Sequence, residues 1–466
     1  MHSIFRIHDI EPIDDIAKIY KVHLSLTSDN DQDLHNLTEY IKNESYTDLQ
    51  SCYRLPQLLI DIGQQNAAEP LCQSLLRTTD RNDDRDFSPY LITSLLGKIK
   101  QAQGNYNEAL EFYQNSLTNV AQLLPPNHPS LAASYTNIGL VHDKMGNYSQ
   151  ALEYHEKALS IQTESLPPNH PSLAGSHSNI GLVHNKMGNY SQALQYHQNA
   201  LSIRTESLPP NHPSLAGSHS NIGLVHENMG NYSQALEYHQ KALSIDTKSL
   251  PPNHPSLAGS YTNIGLVHDN MGNYSEALEY HQKALSIQTE SLPPNHPSLA
   301  GSYTNIGAVH HEMGNYSQAL EYHQKALSIQ IESLPPNHPR LTVSYTNIGV
   351  AHREMGNYSQ ALEYHQKALS IQTESLLPNH PDLAASYVRV GLVLEMNGDV
   401  SRARYYYRKG LEIWVAILPL LDGSIKWIWE KLGYLYMKQG KHGRVLAFCP
   451  ATSVPREKWR CRARDS

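Results

Sequence analysis

The stretch Asn263–Thr304, NIGLVHDNMGNYSEALEYHQKALSIQTESLPPNHPSLAGSYT, returns almost letter for letter on either side of itself. Its length is the period. Gly97, Gly139, Gly181, Gly223, Gly265, Gly307, Gly349, Gly391 and Gly433 are each 42 residues from the next, without one insertion or deletion. Fixed spacing of this kind marks structural units that stack on one another. The copies at Gly97, Gly391 and Gly433 keep the spacing and lose most of the letters, as caps at the ends of a stack do. A weaker match, Tyr53–Leu76, reads as one more helical pair before Gly97.

Within one copy the punctuation is that of two helices. In MGNYSQAL (Met145–Leu152) Gly146 suits the left-handed conformation that ends a helix. Asn147 is then expected to accept from the first turn of the next, with Gln150 in the capping-box place that Glu108 and Glu276 fill in their copies. Ala151, Leu152, His155, Ala158, Leu159 and Ile161 share one face of this second helix, which runs to LPPNHP. Pro167 and Pro168 stop it, and Pro171 suits the first turn of another helix with Asn169 or His170 as its cap. The next stripe is Leu173, His177, Ile180, His184 and Met187. Gly181, Ala193 and Ala200 are small enough to let the two helices approach closely. Each unit is a hairpin that buries both faces only by stacking.

Composition agrees with an array. A chain of 466 residues ordinarily suggests about three domains, but a stack has no single core to outgrow. A formal charge of −8 with 39% hydrophobic residues gives no general attraction to nucleic acid or to an anionic membrane. The longest apolar run, IWVAILPLL (413–421), is too short to span a bilayer, and the N-terminus lacks a basic-then-apolar signal, so the chain reads as cytoplasmic. Cys52, Cys72, Cys449 and Cys461 match no zinc or redox spacing and fit reducing surroundings. Asn-Tyr-Ser recurs at Asn147, Asn189, Asn231, Asn273, Asn315 and Asn357. As sugar acceptors these need secretion, whereas capping explains the same asparagine locally.

The order Tyr135, Ile138, Gly139, Gly146, Tyr148, Ala151, Ala158 and Leu159 resembles the tetratricopeptide repeat. The 42-residue period and the NHPSLA linker make it similar to the repeats of kinesin light chains, over roughly residues 94–440. The resemblance implies an all-α, right-handed superhelical solenoid of helical hairpins that binds peptide segments in a concave groove, with a cytoskeletal motor or cargo among the partners. Kinesin light chains also carry a heptad coiled coil that docks on the motor chain, and no sustained heptad run precedes these repeats.

The first 48 residues have a different pattern. KIYKVHLSLT alternates Tyr20, Val22, Leu24 and Leu26 on one side, as a strand does, with FRIHDI as its neighbour. Leu34, Leu37 and Ile41 follow capping residues and read as a short amphipathic helix. MHSIFRIHDI resembles the segment just after the catalytic Glu-x-Glu of arginine-specific ADP-ribosyltransferases. That implies a short α+β remnant, and an alternative in which this chain is the C-terminal fragment of such an NAD-dependent enzyme fused to repeats. The expected organisation is a remnant over 1–48, a divergent helical cap or linker over 49–93, the array over 94–442 and a basic, disordered tail over 443–466. Trp427, Trp429, Leu432, Tyr434 and Tyr436 are expected to close the array.

Of 27 histidines, 19 fall at three repeated places, the series of His142, His155 and His170. Two histidines without carboxylate or thiolate make a poor zinc site, so the His142 and His155 series are expected in the packing. No nucleophile triad, phosphate-binding glycine loop or carboxylate pair recurs, and neither catalysis nor a cofactor is expected. Function is then a matter of surface. Thr136, Asn137, Leu140, Asp143 and Lys144 face away from the packing stripe of the first helix. In the family resembled, the place of Asn137, repeated as Asn179, Asn221, Asn263, Asn305 and Asn347, holds the backbone of an extended peptide. Beside it lie the pairs Asp143-Lys144, Asn185-Lys186, Glu227-Asn228, Asp269-Asn270, His311-Glu312 and Arg353-Glu354, different in every copy. Such charge differences are suited to choosing a partner's side chains. The reading is a non-catalytic scaffold for protein or peptide partners, with no nucleic acid and no membrane.

Overall fold

The computed structural model describes residues 5–14, 19–26, 56–60, 65–79, 88–419 and 422–438. The chain divides into two compact units, Met1–Pro252 and Asn253–Ser466. The expected helix around Leu34, Leu37 and Ile41 and the C-terminal tail lie outside the described residues.

In the first unit, strands β1 (Phe5–Asp14) and β2 (Ile19–Leu26) pair antiparallel, with Phe5 opposite Leu26 and two register shifts. Residues 56–60 are helical, followed by α1 (Gln65–Thr79). Hairpins follow: α2 (Ser88–Ala102) with α3 (Tyr106–Leu123), and α4 (Pro129–Lys144) with α5 (Tyr148–Ser165). The unit ends with α6 (Pro171–Lys186) and α7 (Tyr190–Ser207), then α8 (Pro213–Asn228) and α9 (Tyr232–Ser249). Leu59, Ile60, Ala68 and Cys72 pack with Ile92, Leu96 and Ile99, which ties α1 to the first hairpin. Lys100 on α2 joins Glu69 of α1 and Glu108 of α3, each at 2.9 Å.

The second unit repeats the design. It contains α10 (Pro255–Asn270) with α11 (Tyr274–Ser291), and α12 (Pro297–Glu312) with α13 (Tyr316–Ser333). Then come α14 (Arg340–Glu354) with α15 (Tyr358–Ser375), α16 (Pro381–Met396) with α17 (Val400–Ile417), and α18 (Gly423–Lys438). Its C-terminal core gathers Leu394, Tyr407, Ile425, Ile428, Leu432 and Leu435. Of the aromatics expected to close the array, Tyr436 is buried, but Trp427 and Tyr434 are 37% and 46% exposed. The reason is helical phase: Ile425, Ile428, Leu432, Leu435 and Tyr436 form the stripe that meets α17, and Trp427 reaches it only edge-on against Tyr407.

Two local expectations are corrected. Gly146 has φ +78° and closes α4, with Gly146 N–H donating to Asp143 O and Asn147 N–H to His142 O. The Asn147 side chain, however, makes no capping bond to the first turn of α5. Only Asp399, among these positions, caps: its Oδ1 accepts from Arg402 N–H at 3.0 Å. Met187, assigned to the packing stripe, is 40% exposed, because it stands at the C-cap, after the last helical residue of α6.

Candidate functional site

The hairpin interior is built on a glycine and a ring. A Cβ on Gly139 would lie 2.7 Å from His155 Cε1, so the imidazole packs flat against bare backbone. The same pairing joins Gly181 to His197, Gly223 to His239, Gly265 to His281, Gly307 to His323 and Gly349 to His365. In the flanking hairpins tyrosine takes the histidine's place, Tyr113 over Gly97 and Tyr407 over Gly391. The longer side chain reaches a polar partner: Tyr113 Oη donates to Gln101 at 3.1 Å and Tyr407 Oη to Glu395 at 2.6 Å. Both ring nitrogens of His155 and His197 are buried without a hydrogen-bond partner among the described residues. Burial penalises the charged ring and lowers the pKa of all six histidines to about 4. His142 stacks on Tyr154 at 5.5 Å, and Lys157 lies over the same ring. Desolvation lowers the pKa of His142 as well.

The linker histidine has a separate task. His170 Nδ1 accepts from Ser172 N–H at 3.2 Å and so caps α6, and His128, His212, His254, His296 and His380 do the same for their helices. Between Asn169 and His170 the structure chooses the imidazole. Nothing in the sequence signalled this except that the histidine always precedes proline.

The outward face of the first helices carries the asparagine series. In the first unit Asn137, Asn179 and Asn221 are half-buried, and in the second so are Asn263, Asn305 and Asn347. Their amides make no hydrogen bond among the described residues. The adjacent threonines differ: Thr136, Thr262 and Thr304 are satisfied by their own helices, through Ala132 O, Ala258 O and Ala300 O. The neighbouring pairs behave in another way than the sequence suggested. Lys186 Nζ donates to both oxygens of Asp143, at 2.8 and 2.6 Å, and Asn228 Nδ2 donates to Asn185 Oδ1 at 3.1 Å. Each bond links the second member of one pair to the first member of the pair a hairpin earlier. Lys144 is exposed, and Glu227 Oε2 lies 3.9 Å from His239 Nε2. In the second unit Arg353 pairs with its neighbour Glu354, while burial and the nearby Glu312 raise the pKa of Asp269.

A tetratricopeptide repeat family model matches residues 90–164, 172–248, 214–290, 256–332, 298–374 and 340–414. The chain belongs to the tetratricopeptide repeat family. Its fold is similar to that of the apo form of the quorum sensor NprR from B. thuringiensis, at 14% identity and a TM-score of 0.55 over 78% of this chain and 98% of that one. It is also similar to aspartyl phosphate phosphatase F from Bacillus subtilis, at 18% identity and a TM-score of 0.50 over 79% and 94% of the two chains. A kinesin light chain-like protein of Podosopora anserina with nearly identical TPR-like repeats shares 23% identity, covering 44% of this chain and 98% of that one at a TM-score of 0.40. No curated protein matches the chain. At these identities the likeness is one of fold.

Among the described residues of this tetratricopeptide protein, no group of three or more His, Cys, Asp or Glu could hold a metal ion. None of their helices is long and apolar enough to cross a membrane. The Cys72 thiol is buried, and burial pushes its pKa up to about 11, which leaves it a packing group rather than a nucleophile. What the first helices present outward, within each unit, is a half-buried asparagine amide at the same place in successive hairpins.

Proposed function

We propose that the protein is a non-catalytic interaction scaffold whose first-helix face holds extended peptide segments of other proteins. One observation carries the reading: in each unit an asparagine amide recurs at the same place on successive first helices, half-buried and without an internal hydrogen bond. An amide offers both a donor and an acceptor, which matches a peptide main chain whatever its side chains. Partly desolvated amides gain most from such a partner, because little water has to be displaced. The tetratricopeptide hairpin supplies the rigid spacing. By its 42-residue period the reading extends to kinesin-light-chain-like adaptors acting in the cytoplasm on a motor or its cargo.

The test uses a degenerate decapeptide library on beads and the full chain. Wild type should retain peptides, and changing Asn263, Asn305 and Asn347 together to alanine should weaken retention by roughly ten- to a thousandfold if the second unit holds the peptide, at about 0.5–1.5 kcal/mol for each lost hydrogen bond. The matching triple at Asn137, Asn179 and Asn221 probes the first unit. The control pair Gln282→Ala and Gln324→Ala, on exposed faces of second helices, should leave retention intact. Loss in the glutamine variant with both asparagine triples unaffected would move the site to the second helices and overturn the proposal.

A further inference from the structure

Most second helices lay a lysine over their own tyrosine. Lys157 lies 5.1 Å from the ring centre of Tyr154 and Lys241 4.9 Å from that of Tyr238, held by Glu153 and Glu237 at 2.6 Å. Helices α11, α13 and α15 repeat the arrangement. On α7 both partners are replaced: Gln195 stands in the place of the glutamate and Asn199 in that of the lysine. Tyr196, half-buried and stacked on His184 at 5.5 Å, therefore has no cation over its ring among the described residues.

The negative charge has not left with the lysine. Burial lowers the pKa of His142 and His352, and the carboxylate that opposes it is in each case the lysine's own holder, Glu153 or Glu363. For His184, the ring that stacks on Tyr196, that part falls to Glu156 on α5. The other near-identical copies carry glutamine at this place, as in Gln198 and Gln240. Glu156 is exposed and forms no hydrogen bond or ion pair among the described residues. With Leu159, Ser160, Thr163 and Glu164 it lines a cavity of about 360 Å³. One hairpin on, the residues 42 places later line a cavity of about 380 Å³ to which Tyr238 contributes, and Tyr196 is the tyrosine at the corresponding place here. That later groove has its own cation, Lys241, and no carboxylate where Glu156 stands; the earlier one has the carboxylate and no cation.

The two departures explain each other when the cation comes from outside. An aromatic face and a carboxylate beside the apolar Leu159 match a side chain with an apolar stem and a charged head. We infer that this groove of the first unit receives a lysine or arginine side chain of a partner protein, which takes over Tyr196 the place that the protein's own lysine holds in the other copies. Charge complementarity selects that partner, since Glu164 adds a second carboxylate without an ion pair among the described residues. The surface belongs to the second helices and goes beyond the asparagine face.

The test uses the full chain and a pentapeptide library on beads with arginine fixed at the centre, against the same library with citrulline, which keeps the shape without the charge. Wild type should be captured by the arginine beads and not by the citrulline beads. Glu156→Gln should weaken capture roughly three- to tenfold. Gln195→Glu combined with Asn199→Lys restores the repeat's own pair; it should weaken capture as much while melting no lower than wild type, because a lysine of the chain then covers Tyr196. Glu290→Gln removes an exposed carboxylate of α11 and should change nothing, as should the alanine triple at Asn137, Asn179 and Asn221. Equal capture by both libraries, capture by neither, or equal losses in Glu156→Gln and Glu290→Gln overturns the inference. So does full capture of the variant with the restored lysine, or a loss in the asparagine triple with none in Glu156→Gln. The asparagine face keeps its own test, so failure here leaves the scaffold reading standing.

Discussion

At the scale of the residue, the decisive contact is the one between a glycine and an imidazole. A Cβ on Gly223 would meet His239 Cε1 at 2.7 Å, and the ring is 1% exposed, so it has no free direction in which to move. Alanine is about 1 kcal/mol better than glycine inside a helix, but overpacking a closed core costs roughly 1–3 kcal/mol, so Gly223→Ala should lower stability. Gly217 on the same helix has open space where its Cβ would go. Gly217→Ala should therefore raise the urea midpoint while Gly223→Ala lowers it, and equal midpoints would remove the packing argument. The buried histidines add a pH dependence. Their folded pKa of about 4 lies below the unfolded value of about 6.5, so the neutral ring supports the fold. That support is complete above pH 6.5 and is lost as the pH falls toward 4, because the unfolded chain takes up protons first. At pH 5 the loss should be about 1–2 kcal/mol for each ring, read as a lower urea midpoint than at pH 7.5. Identical midpoints would mean that the rings are not buried in solution.

At the scale of the element, helix ends were only partly legible. The glycine stop and the proline start are backbone properties, and they appear where the letters put them. The cap depends on which side chain reaches the free N–H groups, and two candidates stood side by side in Asn-His-Pro. His212 Nδ1 accepts from Ser214 N–H, and His212→Ala should destabilise by about 0.5–2 kcal/mol. Asn231 and Asp399 hold the same place with similar backbone angles, yet only the carboxylate closes a capping bond. Asn231→Asp should raise stability by about 0.5–1 kcal/mol, through the cap and the positive end of the helix. A variant no more stable than wild type in urea would show that the closure of the preceding helix, through Asn231 N–H to His226 O, leaves the side chain no route to the cap.

At the scale of the whole molecule, each hairpin leans on its neighbours and on little else. Destabilisation should then add between distant hairpins. Gly223→Ala and Gly307→Ala lie in different units, and their double variant should lose the sum of the two single losses within about 0.5 kcal/mol. A double variant no worse than either single one would show that one hairpin limits stability and that the others unfold outside the measured transition. The candidate binding face belongs to the same scale, since a row of amides exists only when successive first helices stand side by side. Its asparagines could be named from spacing alone, because a 42-residue period maps every one onto one helical face. The pairs beside them could not be assigned: Lys186 and Asp143 are 43 residues apart and meet only because hairpins stack.

From the letters came the period, the two helices in each copy, the faces they bury and the membership of histidine in the core, all properties of local backbone preference and of side-chain spacing along one helix. Tertiary structure decided the rest: that His155 lies against Gly139, that Tyr407 reaches Glu395 and that Lys186 is spent on Asp143. The physical reason is that a helix fixes the direction in which a side chain leaves the backbone, whereas its burial and its charged partner are set through space by the hairpin that packs against it.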